Sequence, residues 1–188
     1  MYKVVSAEEA VKVIKSNDRI YIQAAAAAPQ ILMNAMTQRH EELRNVEVCH
    51  LHVEGETPYA NPELRKSFHV NSFFLGHNVR HTLAAGNGSY TPIFLSELPL
   101  LFKRNILPID VALIHVSVPD KHGYCSLGVS VEATLAAIEN AKIVIAQINE
   151  QMPRTHGDGI IHFTEIDLFV GCNEPIPIYE MRESTEVE

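Results

Sequence analysis

The sequence predicts an α/β domain, a mainly parallel sheet with helices on both faces. Two runs, Val111–Val116 and Lys142–Ile148, are almost wholly apolar and rich in branched residues, as strands covered on both sides are. Stretches with helical spacing of apolar residues separate the strand-like runs, the order expected of a parallel sheet with crossover helices. Gly, Pro and Asn-Asp pairs punctuate the chain between them.

Ser6-Ala7-Glu8-Glu9 has the form of a capping box, in which the Ser6 hydroxyl accepts from the Glu9 amide. A helix to about Lys15 follows, with Val11 and Ile14 on one face, and Asn17-Asp18 ends it. Arg19–Ala25 reads as a buried strand. Pro29 suits a first helical turn, and Ile31, Leu32, Ala35 and Met36 give that helix an apolar stripe. Val46–Val53 and Phe68–Leu75 read as further strands, and Gly86-Asn87-Gly88-Ser89 as a turn or loop. Ile93–Arg104 is helical in pattern around Leu98, Leu101 and Phe102, with Pro99 in its first turn. Ser130 is placed to cap a helix through Ala133, Leu135, Ala136 and Ile138. After Ile148 the character changes: Pro153, Gly157, Gly159, Gly171, Pro175 and Pro177 suggest a linker, and Glu180–Glu188 a polar, frayed end.

Composition excludes several classes. With 188 residues, of which 46% are hydrophobic and 20% charged, the chain can bury the core of a globular domain. Acids outnumber bases 23 to 15, for a net charge of −8, and no basic cluster offers a nucleic-acid face. No apolar stretch reaches membrane-spanning length, and acids follow the start at once, unlike a signal peptide. A cytoplasmic location is expected. The three cysteines, Cys49, Cys125 and Cys172, are odd in number and widely spaced, so a disulfide framework is not expected. His50 and His52 share a strand face beside Cys49, but no third ligand stands at a recognisable spacing, and no metal is expected.

The segment Val116–Ser130 is the most informative. It follows a strand, where ligands of open parallel sheets collect, and it holds Ser117, Pro119, Asp120, Gly123, Ser126 and Gly128 before a helix start. Glycines admit a ligand close to the backbone, and amides near a helix start favour anions. The same residues also make a tight hairpin. On the residues alone the hairpin is the simpler reading.

The segment, however, closely resembles the Ser-x-Pro-Asp-x-x-Gly-aromatic-x-Ser-Leu-Gly-Val-Ser signature of the acetyl-CoA hydrolase/transferase family, above all its 4-hydroxybutyrate CoA-transferase branch. Tyr21–Gln30 resembles the family's first strand, turn and helix. Gly86–Pro92 resembles its Gly-x-Gly-x-aromatic-x-Pro loop, followed by Glu97-Leu98-Pro99. Ala141–Pro153 resembles the strand before its Asn-x-Gln-x-Pro turn, and Glu165-Ile166-Asp167 its Glu-Ile-Asp. The resemblance covers nearly the whole chain.

That resemblance implies the NagB/RpiA/CoA-transferase fold and one amino-terminal domain over residues 1–188, its core about 1–150 and residues 151–188 an extended linker toward a carboxy-terminal domain. It implies ping-pong transfer of coenzyme A between carboxylates through a glutamyl-CoA thioester. Acyl-CoA and a short-chain carboxylate (4-hydroxybutyrate, butyrate or acetate) would be the substrates, with no permanently bound cofactor. The nucleophilic glutamate belongs to the second domain. None of Glu54, Glu97, Glu132, Glu139 or Glu165 matches its motif, so no catalytic residue is expected in this chain. Substrate-binding residues by this resemblance are Gln23, Ala24, Ala25, Gly86, Gly88, Ser117, Pro119, Asp120, Gly123, Ser126 and Gly128. Partners would be the catalytic domain or a separate chain carrying it, with homo-oligomers expected and neither nucleic acid nor membrane. A docking domain for a separate catalytic chain, half of an acyl-CoA hydrolase and an anion sensor are the alternatives.

One departure stands out. The loop after the first strand, often glycine-containing in the family, is Ala24–Ala28 here. Alanine resists positive φ, so a more regular backbone or a differently shaped acyl pocket is expected. Among smaller signals, His115 ends a strand and reads equally as core or cleft. Arg80-His81 reads as a solvated helix start or as a contact to an anionic substrate or CoA, Lys121-His122 as a solvated turn, and Cys49, Cys125 and Cys172 as small buried hydrophobes.

Overall fold

The structure is a computed structural model that describes residues 4–178; the acidic end, residues 180–188, lies outside the described residues. The chain runs α1 (Ala7–Ala10), β1 (Arg19–Ile22), α2 (Gln30–Gln38), β2 (Val46–His50), β3 (Phe68–Ser72), α3 (His81–Ala85), β4 (Gly88–Tyr90) and α4 (Leu98–Lys103). It continues through β5 (Ile109–Ser117), β6 (Tyr124–Ser126), α5 (Thr134–Asn140), β7 (Ala141–Asn149), β8 (Ile160–His162) and β9 (Leu168–Cys172). Seven strands form one sheet in the order β4-β3-β2-β1-β5-β7-β9, every neighbouring pair parallel. β6 and β8 form a separate antiparallel pair.

Alternation along each strand divides the core into two layers. Ile20 and Ile22 of β1, Val111 and Leu113 of β5 and Ile145 of β7 pack with Ala7 and Ala10 of α1 and Leu32, Met33 and Met36 of α2. Tyr21, Ala112, Ile114, Val144 and Ala146 face the other way, onto Leu98 and Phe102 of α4 and Ala137 and Ile138 of α5. Helices thus cover both faces, as the apolar runs predict. No helix among the described residues is long and apolar enough to cross a membrane.

Three local expectations change. The first helix stops at Ala10 and tightens into a 3₁₀ turn at Val11–Val13, because the Arg39 guanidinium bonds the carbonyls of Val11 and Ile14 and closes the end early. Gly86–Ser89 is not all loop: Gly86 caps α3 in the left-handed region (φ 74°) and Gly88 opens β4 against Val70. A side chain at Gly88 would stand 2.0 Å from Thr82 Oγ1, which is why the strand can sit there only as glycine. Ser130 does not cap α5. That helix begins at Thr134 without a side-chain cap, and the Ser130 hydroxyl donates instead to Glu132.

The largest change concerns residues 151–178. They are not an extended linker. β9 pairs with β7, Ile145 opposite Leu168 and Asn149 opposite Cys172. Phe169 and Val170 are buried on opposite faces of the sheet. A five-residue strand with glycine in it carries little periodic signal, so composition alone suggested a linker.

Candidate functional site

The strand order places the site. From β1 the chain moves outward through β2, β3 and β4, then returns to lay β5 on the other side of β1. Loops leaving the carboxyl ends of β1 and β5 therefore diverge, and such a switch point is where open α/β sheets bind ligands. Gln23–Ala28 leaves β1 there, and Val118–Ser130 follows β5.

Gln23 ties these loops together. Its Oε1 accepts from the His115 amide at 2.7 Å, and its Nε2 donates to the carbonyls of Leu127 (2.9 Å) and Ser130 (2.7 Å). The side chain is 0% exposed. Its polar atoms are hydrogen-bonded to protein. Ala24 is buried too, its amide 3.1 Å from Glu132 Oε1. Ala25 has φ 52°, the left-handed region that alanine resists. The expected regular backbone is thus not found. Ala25 is held there by its amide bond to His52 O (2.8 Å) and by Glu54 N on its own carbonyl (3.2 Å).

The signature residues after β5 brace one another and their neighbours. Ser117 Oγ accepts from the Ser126 amide at 2.9 Å, and Ser126 Oγ accepts from the amides of Gly128 and Thr155, both at 3.1 Å. Asp120 Oδ1 accepts from the amides of His122 and Tyr124, while Oδ2 pairs with Arg154 at 2.9 Å. The turn amides are the first cause holding its carboxyl below the usual range. Gly123 (φ 89°) lies so close to Phe163 that a Cβ would approach its ring to 2.5 Å. Gly128 (φ 70°) leaves only 2.1 Å to Met152 Sδ on the same test. Pro119 is half-buried and leads into this turn. The hairpin and the switch-point loop are therefore one object: β6 and β8 make the hairpin, and its packing aims the loop. The Asn-x-Gln-x-Pro turn behaves alike, Asn149 Oδ1 accepting from the amides of Gln151 and Glu174.

Buried histidines flank the switch point. His115 lies beside Gln147, whose Oε1 accepts from the Ile31 amide at the start of α2. Burial lowers His115 to about 4. His50 is fully buried beside Tyr59, ring centroids 6.0 Å apart, and burial lowers it also to about 4. Cys49 faces the opposite layer, its thiol pushed well up by burial and then by Glu47. Among the described residues no group of three or more His, Cys, Asp or Glu is placed to hold a metal.

Gly86 and Gly88 stand apart from the switch point, at the β4 edge. Next to them an open cleft of about 370 Å³ is lined by Tyr90, Pro92, Ile93, Phe94 and Glu97. Phe94 is 78% and Leu95 55% exposed. His81 bonds the Ala60 carbonyl at 3.0 Å, and Lys121 and His122 lie on an exposed turn. Two functional-looking residues escaped sequence reasoning. Gln147 is signalled weakly by a carboxamide inside an apolar strand. Glu132, weighed in the sequence only as a nucleophile, gives no local signal of its reach to Tyr21 and Ala24, 111 and 108 residues away.

A parallel sheet, two helical layers and a switch point walled by a hydrogen-bonded hairpin define an open α/β domain whose binding edge lies at the carboxyl ends of β1 and β5. The profile of the acetyl-CoA hydrolase/transferase N-terminal domain matches residues 1–180. The chain is 41% identical over 174 residues to the 4-hydroxybutyrate coenzyme A transferase of Clostridium kluyveri, covering 93% of this chain and 41% of that one. The crystal structure of 4-hydroxybutyrate CoA-transferase from Porphyromonas gingivalis is 34% identical with a TM-score of 0.78, over 93% of this chain and 40% of that one. RipA from Yersinia pestis is 26% identical with a TM-score of 0.89, over 98% and 45%. The chain belongs to the acetyl-CoA hydrolase/transferase family, whose amino-terminal domain it forms. It spans about two fifths of the length of the curated relative it matches.

Proposed function

We propose that this chain is the amino-terminal half of a cytoplasmic CoA-transferase that moves coenzyme A from an acyl-CoA to a short-chain carboxylate: 4-hydroxybutyrate, butyrate or acetate. The observation that carries this reading is the 41% identity over 93% of the chain to a 4-hydroxybutyrate transferase. A glutamate outside this chain attacks the thioester carbonyl and expels CoA thiolate, giving a mixed anhydride. The thiolate then attacks the enzyme's acyl carbon and releases the first carboxylate, leaving a glutamyl-CoA thioester. The incoming carboxylate runs the same steps in reverse.

In this reading the present domain supplies the wall and backbone of the acyl pocket at the carboxyl edge of the sheet. Ala24–Ala25 and the Ser117–Gly128 segment border it, and Gln23 and Asp120 hold those borders in place. The exposed Phe94 and Leu95 beside an open cleft suit a surface that a second domain covers. That domain, in the same or another chain, brings the nucleophile, and the complete enzyme is a homo-oligomer.

The test begins with the intact mass of the natural gene product. That product is then incubated with butyryl-CoA and each carboxylate. CoA exchange, and a thioester on a glutamate beyond residue 188 that borohydride reduces, are expected. No exchange with any of the three acids overturns the reading, as does turnover by residues 1–188 alone. Release of free CoA without an acceptor acid would make the protein a hydrolase.

A further inference from the structure

We infer that Glu132 is a positioning residue of the acyl-CoA site, clamping the loop after β1 in its left-handed turn, and is not a nucleophile. The inference rests on the functional reading above, but the clamp itself is a matter of geometry. Oε1 of Glu132 receives the Ala24 amide at 3.1 Å and the Thr134 hydroxyl at 3.0 Å. The Tyr21 hydroxyl stands 3.3 Å from the same oxygen and 2.9 Å from Thr134 Oγ1. Oε2 receives the Ser130 hydroxyl at 2.8 Å.

A carboxylate offers about four lone-pair sites, and here donors from three parts of the chain occupy most of them. Tyr21 belongs to β1, Ala24 to the loop that follows, and Ser130 and Thr134 to the start of α5. Attack on a thioester would require this network to be given up. Tyr21 is wholly buried, and burial first, then the Glu132 charge, keeps its phenol protonated well above the usual range. The phenol is thus a neutral donor facing Glu132 Oε1.

The next link is mechanical. Ala24 is buried, and Glu132 is the acceptor its amide finds. Ala25 follows at φ 52°, a conformation that costs alanine about 1–2 kcal/mol and persists only where its surroundings over-determine it. The Ala24 amide is pinned by Glu132 and the Ala25 amide by His52 O. Without the carboxylate, a buried donor is orphaned beside a strained residue, and relaxation of the turn relieves both. Because Ala24–Ala28 leads into α2, the pocket wall moves with it. A misplacement of about 1 Å at a reacting centre can cost about 100-fold in rate.

The experiment compares E132A and E132Q in the natural-length protein. Glutamine keeps an acceptor oxygen for Ala24 and turns its amide toward Ser130 Oγ, which can accept. Hydrogen exchange of the 23–28 segment, read by mass spectrometry, is expected to quicken at least 10-fold in E132A and to stay near wild type in E132Q. CoA transfer is expected to fall about 100-fold in kcat/KM for E132A and less than 10-fold for E132Q. Should E132A not fold, E132D, whose carboxylate stops one methylene short of Ala24, takes its place. A folded E132Q as inactive as E132A, forming no glutamyl thioester, overturns the inference in favour of a catalytic carboxylate. Unchanged exchange in E132A or E132D overturns the clamp whatever the activity. If wild type transfers no CoA but exchange behaves as expected, the clamp stands and the functional reading fails.

Discussion

The carboxyl ends of β1 and of β2–β3 lie side by side in one sheet and treat buried polar groups in opposite ways. At β1, Tyr21, Gln23, Ser117, Ser126, Thr134 and Glu132 are hydrogen-bonded to protein partners, and His115 Nδ1 is the buried exception. At β2–β3, both ring nitrogens of His50, the Tyr59 hydroxyl and Ser72 Oγ are buried without a protein partner. Bonded networks hold one geometry, whereas an unpartnered buried group costs about 1–3 kcal/mol and constrains nothing. The first region therefore shapes a site, and the second is where the domain is softest to mutation.

Among the substitutions, the largest effect should come from Gln23→Leu. It orphans the His115 amide and the carbonyls of Leu127 and Ser130, and a loss of about 3–5 kcal/mol is expected in urea denaturation. A loss under 1 kcal/mol would erase the contrast, since it would mean that the network holds nothing.

Next is pH. His50 and His115 are buried neutral and titrate at about 4 in the fold, against about 6.5 when unfolded. The unfolded state thus binds more protons between those values. Stability is full above about pH 6.5 and falls as pH drops toward 4, by up to about 1.4 kcal/mol per unit for each histidine. Denaturation midpoints across pH 4–7 check this. His50→Leu, which removes an unpartnered group, should flatten the profile without loss at pH 7.

Two tyrosines sharpen the comparison further. Tyr21→Phe removes a hydroxyl bonded to Thr134 and near Glu132 and should cost about 1–2 kcal/mol. Tyr59→Phe removes a hydroxyl with no protein partner and should change stability by less than about 0.5 kcal/mol in either direction. Equal effects at both positions would show that Tyr59 is bonded in solution. One substitution should be a gain: Ala25→Gly relieves the left-handed alanine and should raise stability by about 1 kcal/mol, seen as a higher melting temperature.

Much of the fold was legible from local chemistry. The strands Arg19–Ile22, Ile109–Ser117 and Ala141–Asn149 lie inside or around the apolar runs that predict them, because burial on both faces demands apolar residues at consecutive positions. β4 and β9 were not, being short, glycine-containing edge strands whose pairing is backbone to backbone. The signature segment is legible as a border of the site, and the structure adds that most of its residues also brace the loop. A sequence pattern records that Asp120, Gly123 and Gly128 are needed there. It does not say whether the need is for a ligand or for Arg154, Phe163 and Met152.

By itself the sequence determined the class of fold, the resemblance to a transferase family and the segments that border the site, because periodicity, turn chemistry and motif order are written within a few neighbouring residues. Only the tertiary structure decided what each polar side chain does. Gln23 meets Leu127 across 104 positions, and Glu132 meets Ala24 across 108. Hydrogen bonds act over about 3 Å of space, and chain closure alone brings such partners within that reach.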